Sequence, residues 1–167
     1  IFLNSALPLL RVVVDEKESL RKGFAGRKGV VQVSALTGPR EAVYGAPKVA
    51  THFLVEDGEL TVKKGVHEAP NLELEFPSVA ALNGFFKGTS KKLPKFKGAL
   101  KQPGLLIATM KALLGMAGAL GVKAPPADEA EQSLIVKMYF YLLSSGISQL
   151  NKAGHPAVSK WIGANPD

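Results

Sequence analysis

The chain contains no cysteine, which removes disulfides, thiolate nucleophiles and cysteine-ligated zinc or iron–sulfur centres from consideration. That fits a reducing compartment, and a cytoplasmic location is the expectation. Acidic residues are missing from one long stretch. Pro77 to Ala127 has neither aspartate nor glutamate but eight lysines, a local charge of +8 against +7 for all 167 residues. Arginine is absent there too, and Phe85, Phe86 and Phe96 are its only aromatics. A nucleic-acid surface wants arginine forks for bases and exposed rings for stacking, so this composition argues against one.

Histidine is scarce. His52, His67 and His155 lie far apart, and none has the i, i+4 spacing of helix-borne metal ligands. No serine sits in a motif and setting that would make it a nucleophile. Gly23, Gly26 and Gly29 punctuate a basic loop, but no Gly-Lys-Ser/Thr follows and the loop runs into a strand. Phosphate cradles need helix N-terminal amides, so a turn is the reading here. No catalytic residue, metal or cofactor is expected, and the chain reads as a non-enzyme.

One domain is expected at this length, able to bury about 70% of its unfolded surface. The apolar run Ile1–Leu10 lacks the basic start and small-residue cleavage site of a targeting segment. Pro103–Val122 approaches membrane-spanning length, yet Lys111 in its middle would cost roughly 2.5–3.5 kcal/mol on insertion. A water-soluble helix, covered on most sides, is expected instead.

Apolar periodicity predicts one N-terminal helix over Ile1–Lys22, with Leu7, Leu10, Val14 and Leu20 along its stripe. Strands follow at Val30–Ala35 and Val49–Val55. Asp57-Gly58 then signals a hairpin, because tight hairpin turns need positive φ, and Leu60–Lys63 is the partner strand. Asn71–Phe76 alternates most cleanly of all: Leu72, Leu74 and Phe76 inward, Glu73 and Glu75 toward water as ordinary exposed carboxylates. A short helix capped by Ser78 carries Val79, Leu82, Phe85 and Phe86, and a further short strand falls within Lys91–Lys101. Pro103-Gly104 opens the apolar helix. Asp128 and Glu131 form a capping-box pattern ahead of a helix to about Asn151, and Trp161 lies in a last short helix.

This order of elements resembles the sterol carrier protein 2 family. The likeness is carried by Thr51 to Leu60, Glu68 to Glu75, Leu82 to Gly88 and Lys97 to Lys101. It implies an α+β fold: a five-stranded mixed sheet backed by helices on one face, with an apolar cavity between the layers. Asn71 stands where the family usually has an acid, Gln102-Pro103-Gly104 cuts the fifth strand short, and the helix from Asp128 lies beyond the usual domain end. Residues 1–167 are therefore read as a single domain, with a core of the family's type at 24–120 and a C-terminal helical extension at 126–167.

The resemblance, together with an oily helix beside an acid-free lysine segment, implies non-enzymatic binding and transfer of a lipid in a hydrophobic tunnel. The ligand class is a fatty acid, fatty acyl-CoA, sterol or phospholipid. The expected wall is Phe53, Leu72, Leu74, Phe76, Leu82, Phe86, Leu106, Met110 and Leu113. Lys91, Lys92 and Lys95 form the expected basic rim, facing either the anionic end of the ligand or an anionic membrane surface. The alternative is a basic interaction module of a larger protein, binding nucleic acid or a protein partner.

Overall fold

Five stretches with apolar side chains at alternate positions build one sheet in a computed structural model that describes residues 2–38, 47–90, 92–120 and 128–164. The strands are β1 (Lys28–Leu36), β2 (Lys48–Glu56), β3 (Glu59–Lys64), β4 (Leu72–Phe76) and β5 (Lys95–Lys97). Their order is β3-β2-β1-β4-β5. Only the β1–β4 pairing is parallel; the other three are antiparallel, so the sheet is mixed.

Register sorts the side chains by face. Val31 lies between Phe53 and Leu72, Val33 pairs with Leu74, Ala35 with Phe76, and Leu74 with Phe96. Because side chains alternate, all of these share one face. The other face collects Gln32 opposite His52 and Glu73, Ser34 opposite Glu75, and Lys97 opposite Glu73.

The β2–β3 hairpin turns on Asp57 and Gly58, both at positive φ (46° and 92°), as a two-residue turn of this chemistry requires. Asp57 also accepts the Gly26 N–H at 2.7 Å, tying the hairpin tip to the loop before β1.

The helices are α1 (Phe2–Ser5), α2 (Leu9–Glu16), α3 (Glu18–Phe24), α4 (Val79–Phe86), α5 (Pro103–Leu120), α6 (Glu129–Lys152) and α7 (Pro156–Ala164). The expected single N-terminal helix is three. Pro8 caps α2, where its missing N–H costs nothing, and Lys17 turns extended (φ −106°, ψ 100°), breaking α2 from α3. The stripe itself holds, with Leu7, Leu10 and Val14 buried. Ser78 caps α4 by accepting the Ala81 N–H, and Asp128 caps α6 by accepting the Glu131 N–H, both as expected.

These helices back the apolar sheet face. One core cluster joins Leu10 and Val13 of α2, Leu105 and Met116 of α5, and Leu134 and Met138 of α6 to the inward residues of β1, β2 and β4. No described helix is long and apolar enough to cross a membrane. The expectation that α5 is covered on most sides holds except along one stripe. Its inner side packs with Leu105, Ala108, Ala112 and Met116 buried, while Ile107 and Leu114 are open. Its helical neighbours α2, α3 and α6 leave that outer side uncovered.

Candidate functional site

The nine wall residues expected from sequence all belong to the hydrophobic core or pack against it. Phe53, Leu72, Leu74, Phe76, Leu82 and Leu113 are buried in the core cluster, and Phe86, Leu106 and Met110 pack half-buried against it. Alternation in β2 and β4 supplies the sheet side of this layer. The helix side comes from α4, which folds back under Ser78, and α5. Phe76, Phe85 and Phe86 form a ring cluster with centroids 5.3 to 6.3 Å apart, closing the layer at the end of β4. Such pairs add about 0.5–1.5 kcal/mol each beyond area burial.

The basic residues are placed elsewhere. Lys95 shares its sheet face with Lys97, away from the apolar layer, because only Phe96 between them points inward. Lys92 is exposed in the segment before β5, and Lys91 lies outside the described residues.

Two clefts border the helices. One of about 470 Å³ lies where Glu16 and Lys17 meet the start of α6 at Asp128, Glu131 and Leu134. The other, about 370 Å³, lies between Arg11 and Val12 of α2, Thr61 and Val62 of β3, and Tyr141 of α6. None of the nine wall residues lines either cleft. The second abuts the apolar layer, since Val12 and Val62 pack against the core.

Sequence reasoning missed the polar face. The expectation that Glu73 and Glu75 are exposed is corrected: they are only 5% and 7% accessible, because the neighbouring strands β1 and β5 bring polar partners over them. Glu73 accepts hydrogen bonds from Gln32 Nε2 (2.9 Å), Ser34 Oγ (2.7 Å) and Lys48 Nζ (2.8 Å). Glu75 pairs with Lys48 at 2.7 Å and Lys97 at 2.6 Å. Gln32 in turn accepts the His67 N–H at 2.6 Å, and His52 Nδ1 lies 3.0 Å from the Gly65 carbonyl. Two carboxylates and two ammonium groups thus form a closed lattice over β1.

Burial is the largest influence on Glu73 and works to raise its pKa. The hydrogen bonds from Lys48, Ser34 and Gln32, with the Lys48 charge, outweigh it and hold the group at about 2. Hydrogen bonds from Lys48 and Lys97 lower Glu75 likewise. A carboxylate held this far down is ionised at every physiological pH and cannot serve as a general acid. Among the described residues no cluster of three or more His, Asp or Glu could hold a metal ion.

The lattice has a pH signature. Glu73 is depressed from 4.5 to about 2, so its stabilisation is full above about 4.5 and is lost as pH falls toward 2. The ceiling is about 3 kcal/mol, less after screening through half-exposed Lys97. Urea midpoints at pH 7, 4 and 3 should drop mainly across the lower interval, and Glu73→Gln should flatten that drop. An equal slope in both proteins would refute the assignment.

A mixed five-stranded sheet in this order, with helices on its apolar face, is the sterol carrier protein 2-like fold. Two solved structures match it with probability 1.00. One is the crystal structure of sterol carrier protein 2, at TM-score 0.54 and 15% identity, covering 70% of this chain and 97% of that one. The other is the solution structure of a conserved hypothetical protein of Thermus thermophilus, described as a candidate sterol carrier protein. It matches at TM-score 0.52 and 15% identity, over 70% of this chain and 87% of that one. No family model and no curated protein sequence matches the chain.

Proposed function

We propose that the domain binds a lipid between sheet and helices and passes it on without covalent chemistry. The ligand is a fatty acid, fatty acyl-CoA, sterol or phospholipid. One observation supports the reading: the fold is matched over 97% of a sterol carrier protein 2 structure, and the nine proposed wall residues are buried in its apolar core or half-buried against it. Phe86, Leu106 and Met110 are its half-buried members and lie on α4 and α5, so these helices are the side that yields to a ligand. The cleft at Val12 and Val62 is the proposed entry to the cavity so opened. Methionine at the wall adapts to chains of different shape. Each buried methylene supplies about 0.8 kcal/mol, so roughly ten supply the ~8 kcal/mol of micromolar affinity before association costs, and a chain of about fifteen or more offsets those costs as well.

Denaturing mass spectrometry of an organic extract of the purified protein should release a lipid, and a fluorescent fatty acid should bind with Kd of roughly micromolar order. Met110→Trp, which fills the layer from the helix side, should weaken that binding at least about tenfold while leaving the fold intact by circular dichroism. No extracted lipid, together with no binding at roughly tens of micromolar, would refute the function.

A further inference from the structure

The helix α6 is apolar on two sides, and the fold uses one. Leu134 and Met138 are buried, with Leu142 packed against the core. Val136, Phe140 and Leu143 follow one another at i, i+4 and i+7 on another face and are 51%, 69% and 60% exposed. Next to it α7 presents Trp161, the only tryptophan of the chain, 57% exposed on a nine-residue helix. Ser159 Oγ bonds Asn151 Oδ1 at 3.2 Å, so the two helices form one unit.

Charge selects the occupant of this surface. From Gln132 to Ala164 there is no aspartate or glutamate, while Lys152 and Lys160 are exposed. A second copy of the chain would set the lysines of this acid-free segment against each other, and Glu16, the acid that the fold brings to α6, is already paired with Lys137. A bilayer of anionic lipids supplies both requirements: hydrocarbon for Phe140 and Leu143, and phosphate for the lysines. Aromatic residues such as Tyr139 and Trp161 favour the headgroup level of such a surface.

We propose that the outward face of α6, with Trp161 of α7, is a docking surface for anionic lipid membranes. The docking is independent of what the inner layer binds. It assigns membrane contact to the C-terminal helices rather than to Lys91, Lys92 and Lys95.

The full chain should co-sediment with vesicles of phosphatidylcholine containing about 30% phosphatidylglycerol and not with pure phosphatidylcholine. Trp161 emission should shift to the blue as its ring leaves water. Phe140→Glu with Leu143→Glu should weaken vesicle binding by more than about tenfold. Lys152→Gln and Lys160→Gln, surface changes that spare the fold, should each weaken it by about fivefold. Lys92→Gln with Lys95→Gln should leave it unchanged. Three results would overturn the proposal: no binding to the anionic vesicles, binding unaffected by the α6 substitutions, or a dimer in sedimentation that the α6 substitutions dissociate while vesicle binding persists. Fatty-acid uptake, measured separately, reports only on the inner layer, so either reading can fail alone.

Discussion

Glu73→Ala is expected to destabilise the protein by about 3–5 kcal/mol, read as a lower urea midpoint with unchanged slope. The substitution removes one acceptor from three donors at once. Gln32 Nε2 and Ser34 Oγ then lose their carboxylate acceptor on a face where both residues are at most 1% accessible in the intact protein. Each unsatisfied buried group costs about 1–3 kcal/mol. Glu75→Ala should cost less, about 1–2 kcal/mol. Its partners are two lysines: Lys97, with a side chain 52% exposed, turns to solvent, and Lys48 keeps Glu73. The ordering is the test, because a merely solvated face would make both changes nearly neutral. Equal small effects would show that the lattice contributes nothing.

The second large effect lies at the end of β5. Gly98 has φ +79°, and a Cβ there would stand 2.1 Å from the carbonyl oxygen of Asn71. Asn71 has little freedom to retreat. Its N–H donates to the Val30 carbonyl at 2.9 Å, and its side-chain oxygen accepts the Val30 N–H at 2.7 Å. Gly98→Ala therefore has to displace the backbone where β4 joins β1, at a cost of about 3 kcal/mol or more in thermal or urea unfolding. Gly88→Ala makes the control. Gly88 also has positive φ, at +69°, but nothing lies within 4 Å of its added methyl. About 1 kcal/mol is expected there. If the two cost the same, the close approach to Asn71 is not what the glycine serves.

Alternation and turn chemistry make most of the sheet legible in the sequence alone. The Asp57-Gly58 turn, the inward set Leu72, Leu74 and Phe76, and the Ser78 and Asp128 caps all follow from local rules, and they hold. The split of the N-terminal helix is signalled only by Pro8. The break at Lys17 has no comparable local cause, as lysine is an ordinary helix former. The outer side of α5 misleads for a different reason. Composition shows that a helix is oily, not how many neighbours reach it, so Ile107 and Leu114 lack the cover their apolarity leads one to expect.

The lattice is hidden from sequence reasoning when the face opposite an apolar strand face is equated with water. Its members come from four places in the chain, at Gln32 and Ser34, Lys48, Glu73 and Glu75, and Lys97. Only the strand order, with β1 between β2 and β4, brings them together. One signal is present. Glu-Leu-Glu in β4 and Lys-Phe-Lys in β5 are complementary when the strands are antiparallel neighbours, and the register pairs Glu73 with Lys97 and Glu75 with Lys95.

The three-residue β5 has a consequence for what the sheet cannot do. A free strand edge is a template on which another chain can add, and long apolar edges seed aggregates. Here the β4 side of the sheet ends in a strand too short to offer more than a bond or two, with an exposed lysine before and after Phe96. At the opposite border β3 closes with Lys63 and Lys64, both exposed. A strand arriving at either border meets positive charge and a ladder that soon runs out. The sheet is thus finished at five strands by its own borders, and the protein can keep a hydrophobic interior without recruiting copies of itself along its edges.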